Sequence, residues 1–314
     1  MRQEHKRVLV TGGCGFIGSH LCEALVAAGH AVRVLDNLSS GHEANIAPWR
    51  PTIEFIRGDV RDPETVVAAM EGVTHVLHEA ALVSVFDSVY KPVAAHEINA
   101  TGTLHVLEAA RAAGVKRVVL ASTAAAYGNN PDLPKRETML PEPESPYAAS
   151  KIAGEHALRV YARLFGLEAI VLRYFNVYGP RQDPSSPYSG VISKFTEVLR
   201  GGGTPTIFGD GLQSRDFVFV KDVVQANLKA LFGPVPGRGQ IYNVASGHTA
   251  TLLDLCAVLG RLAGRDVVPE HKAERAGDIR HSAAAISRIQ QELGYAPAYD
   301  LETGLRILWD SLTA

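Results

Sequence analysis

A tyrosine and a lysine, Tyr147 and Lys151, lie four residues apart in the segment SPYAASK. The next residues, IAGEHALRVYARLF, continue with the apolar spacing of a helix, so both side chains are expected on one helix face. A neighbouring ammonium group favours the phenolate and lowers the pKa of a tyrosine below its ordinary value of about 10. Such a pair can act as a general base near neutral pH, although an isolated pair of this kind also occurs on solvated helix surfaces.

The elements that must position this pair are those of an α/β protein. Short β-branched runs alternate with amphipathic helical segments through the first half of the chain; they are RVLV, AVRVLD, IEFIRGDV, HVLHEA, RVVLAS and AIVLRYFN. This alternation predicts a doubly wound parallel sheet with helices on both faces. From residue 181 onward, short elements separated by glycine and proline predict a smaller, discontinuous C-terminal region. We therefore divide the chain at 1–180 and 181–314, with segments near 215–248 returning to the main sheet.

Composition and charge exclude several functional classes. The 314 residues are 46% hydrophobic and carry a formal net charge of −2, without a basic tract for nucleic acid or a polybasic membrane anchor. No apolar run approaches the roughly 18 residues of a membrane span. Three cysteines without C-x-x-C spacing disfavour a disulfide framework or a structural zinc site. We expect a soluble, cytoplasmic protein with reduced thiols, no metal, and neither nucleic acid nor membrane as a partner.

A glycine-rich loop, TGGCGFIGSH, follows the first predicted strand and contains Gly12, Gly15 and Gly18. Glycines permit a tight turn and close backbone approach, and the helix N-terminus behind them can face a diphosphate. Asp36 ends the second strand, 18 residues after Gly18, where its carboxylate can accept hydrogen bonds from ribose hydroxyls. No arginine follows Asp36 at the next two positions, so the pattern favours NAD over NADP. The sequence thus predicts a Rossmann-like NAD-binding domain over 1–180.

Three motifs, TGGCGFIGSH, STAAAYG and YAASK, together resemble those of the extended short-chain dehydrogenase/reductase family. Three more, RYFNVYGPRQ, SRDFVFVKD and RAGDIRHS, resemble those of its nucleotide-sugar epimerase branch. The motifs occur in the expected order and cover nearly the whole chain. The resemblance implies that Tyr147 is the catalytic acid/base and that Lys151 binds the nicotinamide ribose and lowers the pKa of Tyr147. It also implies that Thr123, at the end of the fifth strand, completes the catalytic site and contacts the substrate.

The resemblance further implies cofactor contacts along the strand ends. Asp59 and Val60 follow the third strand, where an edge contact with adenine is possible, although Asp59 can instead cap the next helix. The expected NAD contacts are Gly12, Gly15, Phe16, Ile17, Gly18, Asp36, Asn37, Asp59, Val60, Ala80, Ala81, Asn99, Tyr147 and Lys151. His78 is expected to be a structural histidine at a strand end. Glu79 departs from the Leu, Gln or Phe more common in the family at its position.

Region 181–314 is expected to bind mainly the nucleotide sugar. By resemblance, Asn176, Arg215, Arg275 and Asp278 contact the diphosphate and the uridine ribose, where charge-assisted hydrogen bonds are strong. An arginine beside an aspartate, as at Arg215 in SRDF, is also typical of a surface ion pair.

Two serines are expected near the sugar. Ser84, in ALVSV, is a candidate sugar contact, and Ser282 lies four residues after Asp278. In the epimerases that this chain resembles, a tyrosine at the position of Ser282 restricts the enzyme to glucose and galactose, whereas a smaller residue leaves room for an N-acetyl group. The resemblance therefore favours N-acetylated sugars, together with the unsubstituted pair.

The residues after Thr123 limit which of the family's reactions this chain can catalyse. Related dehydratases and UDP-glucuronate decarboxylases carry an acidic residue there, whereas this chain has Ala124 and Ala125, whose methyl groups cannot transfer protons. Epimerases that form a carbanion at C3 or C5 need a further acid/base such as cysteine, and no cysteine lies near STAAAYG or YAASK in the sequence. What remains is a UDP-sugar 4-epimerase that oxidises C4 reversibly with bound NAD. The alternatives are a decarboxylase or dehydratase, and a non-catalytic NAD-binding sensor of the same fold.

Two helices are expected to form a homodimer interface. The helix at about 93–113 and the Tyr147 helix both carry apolar residues on more than one face, which indicates burial beyond one sheet. These residues are Leu104, Val106, Leu107, Leu158, Val160 and Leu164. Packing of both helices against their symmetry mates would form a four-helix bundle, and the family resemblance indicates the same arrangement.

Overall fold

The computed structural model describes residues 6–183, 190–234, 237–274 and 280–312. The strands are β1 Arg7–Thr11, β2 Ala31–Asp36, β3 Ile53–Arg57, β4 His75–His78, β5 Arg117–Thr123, β6 Glu168–Tyr174, β7 Asn176–Tyr178, β8 Thr206–Phe208, β9 Ser214–Arg215, β10 Phe217–Phe219, β11 Gln240–Val244, β12 Ala250–Thr251, β13 Glu270–Lys272 and β14 His281–Ser282. The helices are α1 Phe16–Ala27, α2 Pro63–Ala69, α3 Val85–Tyr90, α4 Pro92–His96, α5 Gly102–Ala112, α6 Pro146–Leu164, α7 Val191–Arg200, α8 Val220–Phe232, α9 Leu252–Leu262, α10 Ser287–Leu293 and α11 Leu301–Ser311.

Three short helical turns complete the elements. Turns of 3-10 helix cover Glu43–Thr52 and Ala124–Tyr127, and a π-helical turn, Glu97–Thr101, joins α4 to α5. The helix expected at about 93–113 is therefore made of three consecutive helical pieces.

The main sheet has seven parallel strands in the order β3-β2-β1-β4-β5-β6-β11. All six strands expected from the β-branched runs are present, and the predicted doubly wound fold is confirmed. The strand order reverses at β1, which pairs with β2 on one side and β4 on the other. Ligands of open α/β sheets bind at the carboxyl ends of the strands beside such a switch point. The fold thus places the glycine loop after β1 and the segment after β4 at one ligand-binding edge.

Helices cover both faces of this sheet. On one face, Leu21 of α1 and Val223 of α8 pack against alternate strand residues such as Val10, and all three are fully buried. On the other face, Val106 of α5 and Leu158 of α6 are equally buried in a second core. Strands buried on both faces need apolar residues at successive positions, which explains the continuous apolar runs in the sequence.

The C-terminal part adds a smaller set of elements. Two-stranded pairings join β7 to β10 and β8 to β13, and β9 lies between β12 and β14. Helices α7, α9 and α11 share a third core that includes Phe195, Leu259 and Leu305. The region is discontinuous, as expected, because β11 leaves it to pair with β6 at the edge of the main sheet.

Two global features concern the thiols and the helices. Cys14, Cys22 and Cys256 are buried and not disulfide-bonded. Within the part of the chain that the structure describes, no helix combines the length and the apolar character needed to cross a membrane.

Candidate active site

The predicted Tyr147 helix is present as α6, and local sequence explains where it begins. Ser145 is its N-cap, with Oγ accepting a hydrogen bond from the Ala148 amide at 3.1 Å. Pro146 occupies the first helical position, where its missing N–H is not needed. These two residues set Tyr147 in the first turn and Lys151 one turn later, where its side chain is only 4% exposed.

Thr123 is the last residue of β5, and its side chain lies beside Tyr147 at the carboxyl end of the sheet. Its Oγ1 accepts a hydrogen bond from the Ala125 amide at 3.1 Å, and its side chain also hydrogen-bonds the phenol of Tyr147. Thr123 therefore bonds backbone and also lies beside the phenol of Tyr147, while its expected contact with the substrate stays a prediction. The structure brings Thr123, Tyr147 and Lys151 together at the carboxyl end of β5.

The pKa of Tyr147 differs from the sequence expectation. Burial raises the pKa of Tyr147 above its ordinary value, and the hydrogen bond with Thr123 only partly opposes this effect. We expected Lys151 to lower the pKa of Tyr147, but burial is the largest effect on this pKa, and Lys151 is not among the groups that shift it. Tyr147 is thus a neutral phenol at neutral pH in the cofactor-free chain.

The pKa of Lys151 is shifted in the opposite direction. Burial lowers the pKa of Lys151 to about 8, while the carboxylates of Glu79 and Glu155 act to raise it. An ammonium group with a pKa this close to neutral responds to small changes in its surroundings.

A buried ion pair behind α6 was not predicted. Arg173 Nη2 on β6 lies 2.7 Å from Glu155 Oε2, and Ser122 Oγ donates to Glu155 Oε1 at 2.5 Å. Glu155 lies four residues after Lys151, so the extended spacing YxxxKxxxE is the sequence signal that could have identified it.

The glycine loop forms a narrow cradle beneath the N-terminus of α1. Gly12 has a φ of 69°, and a Cβ there would lie 2.8 Å from the Ala80 amide nitrogen. Gly15 is the N-cap of α1 and makes no side-chain cap, and the first turn carries no acidic residue. Helix N–H groups left in this way bind anions. The other expected contacts here, Phe16, Ile17 and Gly18, form the first turn of α1.

Asp36 closes the cradle at the end of β2. It is 8% exposed, and its carboxylate accepts hydrogen bonds from the amides of Cys14 at 2.9 Å and Leu38 at 2.8 Å. The two amides hold the carboxylate beside the glycine loop. The cradle, the uncapped helix and this carboxylate fit the diphosphate and a ribose of NAD.

Asp59 lies next to Asn37 at the ends of β3 and β2. Asn37 Nδ2 donates to Asp59 Oδ2 at 2.8 Å, and the guanidinium of Arg61 binds both Asp59 oxygens. These bonds hold the pKa of Asp59 well below its ordinary value. Asp59 does not cap the next helix, because the N-cap of α2 is Asp62. Val60 is buried behind this group, and its carbonyl accepts a hydrogen bond from His105.

The segment after β4 is held by residues from several elements. The Ala80 amide donates to Thr11 Oγ1 at 3.2 Å, and Ala81 is half-buried beside it. Asn99 accepts from the Leu82 amide and donates to the Leu82 carbonyl and to Ser150 Oγ. These bonds hold the loop after Ala80 in position, so Asn99 has a structural role in this part of the site.

His78 and Ser84 both have structural partners. His78 is 1% exposed, and its ring nitrogens lie 2.7 Å from Thr11 Oγ1 and 3.0 Å from Thr103 Oγ1, in agreement with the structural role expected for it. Ser84, the candidate sugar contact, is the N-cap of α3 and accepts from the Asp87 amide at 2.9 Å.

A cavity of about 370 Å³ lies in the C-terminal region. Asn176, Lys194 and Arg215 supply polar and cationic groups to its wall, and Phe208 supplies an aromatic face. Asp216 is not a surface residue: it is fully buried and binds Ser246 and the Gly247 amide. Asn176 and Arg215, both expected near the diphosphate, lie on the wall of the same cavity.

The remaining expected substrate contacts are not among the described residues that line this cavity. Ser282, on β14, pairs with Arg215 on β9 and is half-exposed, but it does not belong to the described lining of the cavity. Arg275 and Asp278 lie outside the described residues. Lys194, Phe208 and Gln213 also line the cavity and were not predicted, because none stands in a motif that the sequence analysis singled out.

Comparison with known proteins supports the family resemblance inferred from the sequence motifs. The model of the NAD dependent epimerase/dehydratase family matches residues 8–245. The chain is 41% identical to the UDP-glucose 4-epimerase of Mycolicibacterium smegmatis over 303 residues, which cover 95% of this chain and 96% of the relative.

Two solved structures are similar over nearly their whole length. The UDP-N-acetylglucosamine 4-epimerase of Methanobrevibacter ruminantium, in complex with UDP-N-acetylmuramic acid, superposes with a TM-score of 0.93 at 37% identity, and 99% of each chain is covered. The Thermus thermophilus UDP-glucose 4-epimerase complex with NAD superposes with a TM-score of 0.87 at 41% identity, covering 98% of this chain and 99% of that one. The predicted resemblance is confirmed, and the chain belongs to the NAD-dependent epimerase/dehydratase family.

Proposed function

We propose that this chain inverts C4 of UDP-sugars with NAD as bound cofactor, interconverting UDP-N-acetylglucosamine with UDP-N-acetylgalactosamine and also UDP-glucose with UDP-galactose. The arrangement of Thr123, Tyr147 and Lys151 at one strand end carries the proposal. Relatives named for UDP-glucose and a neighbour named for UDP-N-acetylglucosamine support the substrate class.

Each side chain of the proposed catalytic site has its own role in the reaction. Bound NAD would supply the hydride acceptor, and later the hydride donor, for C4. The phenolate form of Tyr147 takes the proton of the C4 hydroxyl, and the resulting phenol returns it after the keto sugar has rotated. The positive charges of Lys151 and of bound NAD would favour this form over the neutral phenol of the cofactor-free chain. Thr123 orients the same oxygen through its hydroxyl, and Lys151 supplies a positive charge beside the phenol. There is no net redox change, so the cofactor can stay bound through every turnover.

The residues after Thr123 favour epimerisation over elimination. Ala124 and Ala125 begin the 3-10 turn that follows β5, next to the catalytic cluster. Neither side chain can donate or accept a proton, so a dehydratase or decarboxylase would lack its second acid/base at this position. The presence of all three catalytic candidates also disfavours a purely sensory role.

The C-terminal region supplies the proposed nucleotide site. Arg215 and Lys194 place cationic groups on the wall of the 370 Å³ cavity, where a diphosphate gains charge-assisted hydrogen bonds. We infer that region 1–180 binds mainly the cofactor and that 181–314 binds mainly the sugar nucleotide. The small side chain of Ser282 supports a pocket with room for an N-acetyl group.

One incubation tests this proposal. The purified protein, without added NAD, is mixed with UDP-N-acetylglucosamine or with UDP-glucose, and the products are separated by chromatography and weighed by mass spectrometry. We expect a product of unchanged mass that co-elutes with the C4 epimer. Loss of water or of carbon dioxide would instead identify a dehydratase or, with UDP-glucuronate, a decarboxylase. No product from any of these substrates would favour the sensor.

We further propose a homodimer through α5 and α6. Of the six apolar residues that suggested it, Val106, Leu107 and Leu158 are buried in the core, so they do not bear on the interface. The other three, Leu104, Val160 and Leu164, are 41%, 48% and 71% exposed and remain available to a second copy. Light scattering at micromolar concentration should give twice the chain mass of 33.7 kDa, and a monomer mass would refute the proposal.

A further inference from the structure

A short segment after β7, residues 180–182, lies against α1, the helix behind the glycine loop; we call it the strap. The Pro180 carbonyl is 3.0 Å from His20 Nε2, and this nitrogen must donate because a carbonyl oxygen only accepts. Burial lowers the pKa of His20 to about 4, so its ring is neutral. The same ring packs edge-on against Phe16, in the first turn of α1. The strap is thus joined to the part of α1 that forms the cradle.

Arg181, the next residue of the strap, contacts two elements beside the glycine loop. On α1, its Nη1 donates to Ser19 Oγ at 3.4 Å and its Nη2 donates to the carboxylate of Glu23. Its guanidinium carbon also lies 5.0 Å from the ring centroid of Trp49, in the 3-10 turn Glu43–Thr52. Charge-assisted hydrogen bonds and cation–π contacts are both attractive polar interactions of appreciable strength. Arg181 therefore holds the strap, α1 and the 3-10 turn together.

The 3-10 turn belongs to a segment, residues 37–52, that begins directly after Asp36. Within this segment, the His42 amide and Asn45 Nδ2 both donate to the Cys14 carbonyl, at 3.0 Å and 2.9 Å. Cys14 is part of the glycine loop. Segment 37–52 is therefore attached to both of the groups that fit NAD, the carboxylate for a ribose and the loop for the diphosphate.

Both segments that the guanidinium joins carry a strained backbone position. Among the described residues, Leu38 and Arg181 are the only ones other than glycine in the left-handed region, with φ of 59° and 65°. Such a conformation is uncommon for a residue with a Cβ, and it persists only where the surrounding contacts impose it. Strained positions of this kind cluster at ligand clamps and active sites.

The strap also borders the proposed nucleotide site. Gln182 lines the 370 Å³ cavity, and its Oε1 accepts a hydrogen bond from Ser193 Oγ at 3.0 Å. Arg181 contacts α1, whereas the neighbouring Gln182 belongs to the cavity wall. The strap therefore lies between the cofactor cradle and the cavity.

We propose that Arg181 is a positioning residue that clasps segment 37–52 and α1 to the strap and thereby slows the release of bound NAD. Movement of segment 37–52 away from the ribose would break the contact of Arg181 with Trp49. Movement of α1 away from the strap would break its bonds to Ser19 and Glu23. The inference concerns how the cofactor is retained, so it does not depend on which sugar the protein converts.

The test is the rate of NAD release. Arg181→Asn removes the guanidinium and suits the backbone, because asparagine adopts the left-handed conformation more readily than most residues. Protein loaded with NAD is mixed with an excess of deuterium-labelled NAD, and the bound cofactor is weighed by native mass spectrometry at intervals. We expect release to be roughly tenfold faster in Arg181→Asn than in the wild type.

Two further variants complete the arginine series. Arg200→Asn is the matched control, since Arg200 also lies over a tryptophan, 5.5 Å from the ring centroid of Trp309, and bonds backbone carbonyls at the end of α7. It should leave the release rate unchanged. Arg181→Lys keeps a positive charge near Glu23 but lacks the planar guanidinium, so its release rate should lie between those of the wild type and Arg181→Asn. It also serves if Arg181→Asn does not fold.

Trp49→Leu tests the clasp from the other side. It removes the ring beneath the guanidinium and should also speed the release of NAD. If the two side chains act through each other, the double variant Arg181→Asn/Trp49→Leu should release NAD more slowly than the product of the two single effects predicts.

An unchanged release rate in Arg181→Asn would overturn the proposal, as would an equal acceleration in Arg200→Asn. Single effects that multiply fully in the double variant would also contradict it, because Arg181 and Trp49 would then act separately. The exchange measurement needs no sugar. If the protein turned over no UDP-sugar while Arg181→Asn still released NAD faster, the proposed reaction would be wrong and the clasp would stand.

Discussion

Glu155 and Arg173 form an ion pair buried between α6 and the sheet, with Arg173 Nη2 2.7 Å from Glu155 Oε2 and both side chains no more than 2% exposed. Arg173 also lies over the ring of Tyr127, with its guanidinium carbon 4.8 Å from the ring centroid. Because Glu155 is one turn beyond Lys151, this pair fixes the helix face that carries the catalytic candidates.

Arg173→Met should destabilise the protein by about 3 to 5 kcal/mol, because it leaves the Glu155 carboxylate buried without its partner. Urea unfolding measures this loss. The double variant Glu155→Leu/Arg173→Met should recover much of the stability, since neither charge then remains. Arg306→Met, which breaks an exposed pair with Glu302, should cost less than about 1 kcal/mol. Equal losses for the buried and exposed pairs would contradict this account.

Tyr147→Phe should keep the fold and the bound NAD but lower turnover at least about a hundredfold, because only the phenolic acid/base is removed. Turnover is measured with the substrate that the incubation identifies, and NAD is measured in the supernatant of denatured protein. Tyr242→Phe is the matched control. Tyr242 lies on the edge strand β11, and this variant removes a buried phenol that bonds Glu292 and has no proposed role in the reaction. Near-normal turnover in Tyr147→Phe would refute the acid/base assignment.

His78 should make the protein less stable in acid. Burial lowers the pKa of His78 to about 3, from an ordinary value of 6.5. The unfolded chain therefore binds a proton that the folded chain excludes, and stability present above pH 6.5 is lost as pH falls toward 3. At pH 5 the loss from this group is about 2 kcal/mol.

Urea unfolding at pH 7 and pH 5 checks this expectation. His78→Gln should be less stable at pH 7, because it disturbs the bonds to Thr11 and Thr103, but it should lose less stability on going to pH 5. His96→Gln, at an exposed position on α4, should retain the wild-type pH dependence. A His78→Gln protein with the full wild-type dependence would show that other groups cause the acid sensitivity.

Ser282→Tyr should suppress the reaction of N-acetylated sugars selectively. A phenol ring and an acetamido group cannot fill one volume, and overpacking costs about 1 to 3 kcal/mol, which corresponds to roughly a tenfold to hundredfold preference. The ratio of kcat/KM for the two substrate pairs measures it. Ser287→Tyr, on the exposed first residue of α10, is the control. An unchanged ratio in Ser282→Tyr would mean that Ser282 is not the gate.

The sequence determined the sheet, the glycine loop and the first turn of α6. These features depend on signals within a few residues: β-branched runs, the glycines of TGGCGFIGSH, and the cap and proline ahead of Tyr147. Short-range patterns of this kind act through local backbone geometry and solvent exposure, so they can be interpreted without knowledge of the rest of the chain.

Tertiary structure decided which side chains share a buried environment. Glu79 meets Tyr174 across 95 residues of sequence, and Ser122 meets Glu155 across 33. The pKa of Tyr147 is raised because burial outweighs the hydrogen bond with Thr123, a balance that spacing on a helix does not reveal. Likewise, Asp59 bonds Asn37 because the parallel strands bring the ends of β2 and β3 side by side. Desolvation and long-range hydrogen bonding depend on the packed chain, and no local pattern encodes them.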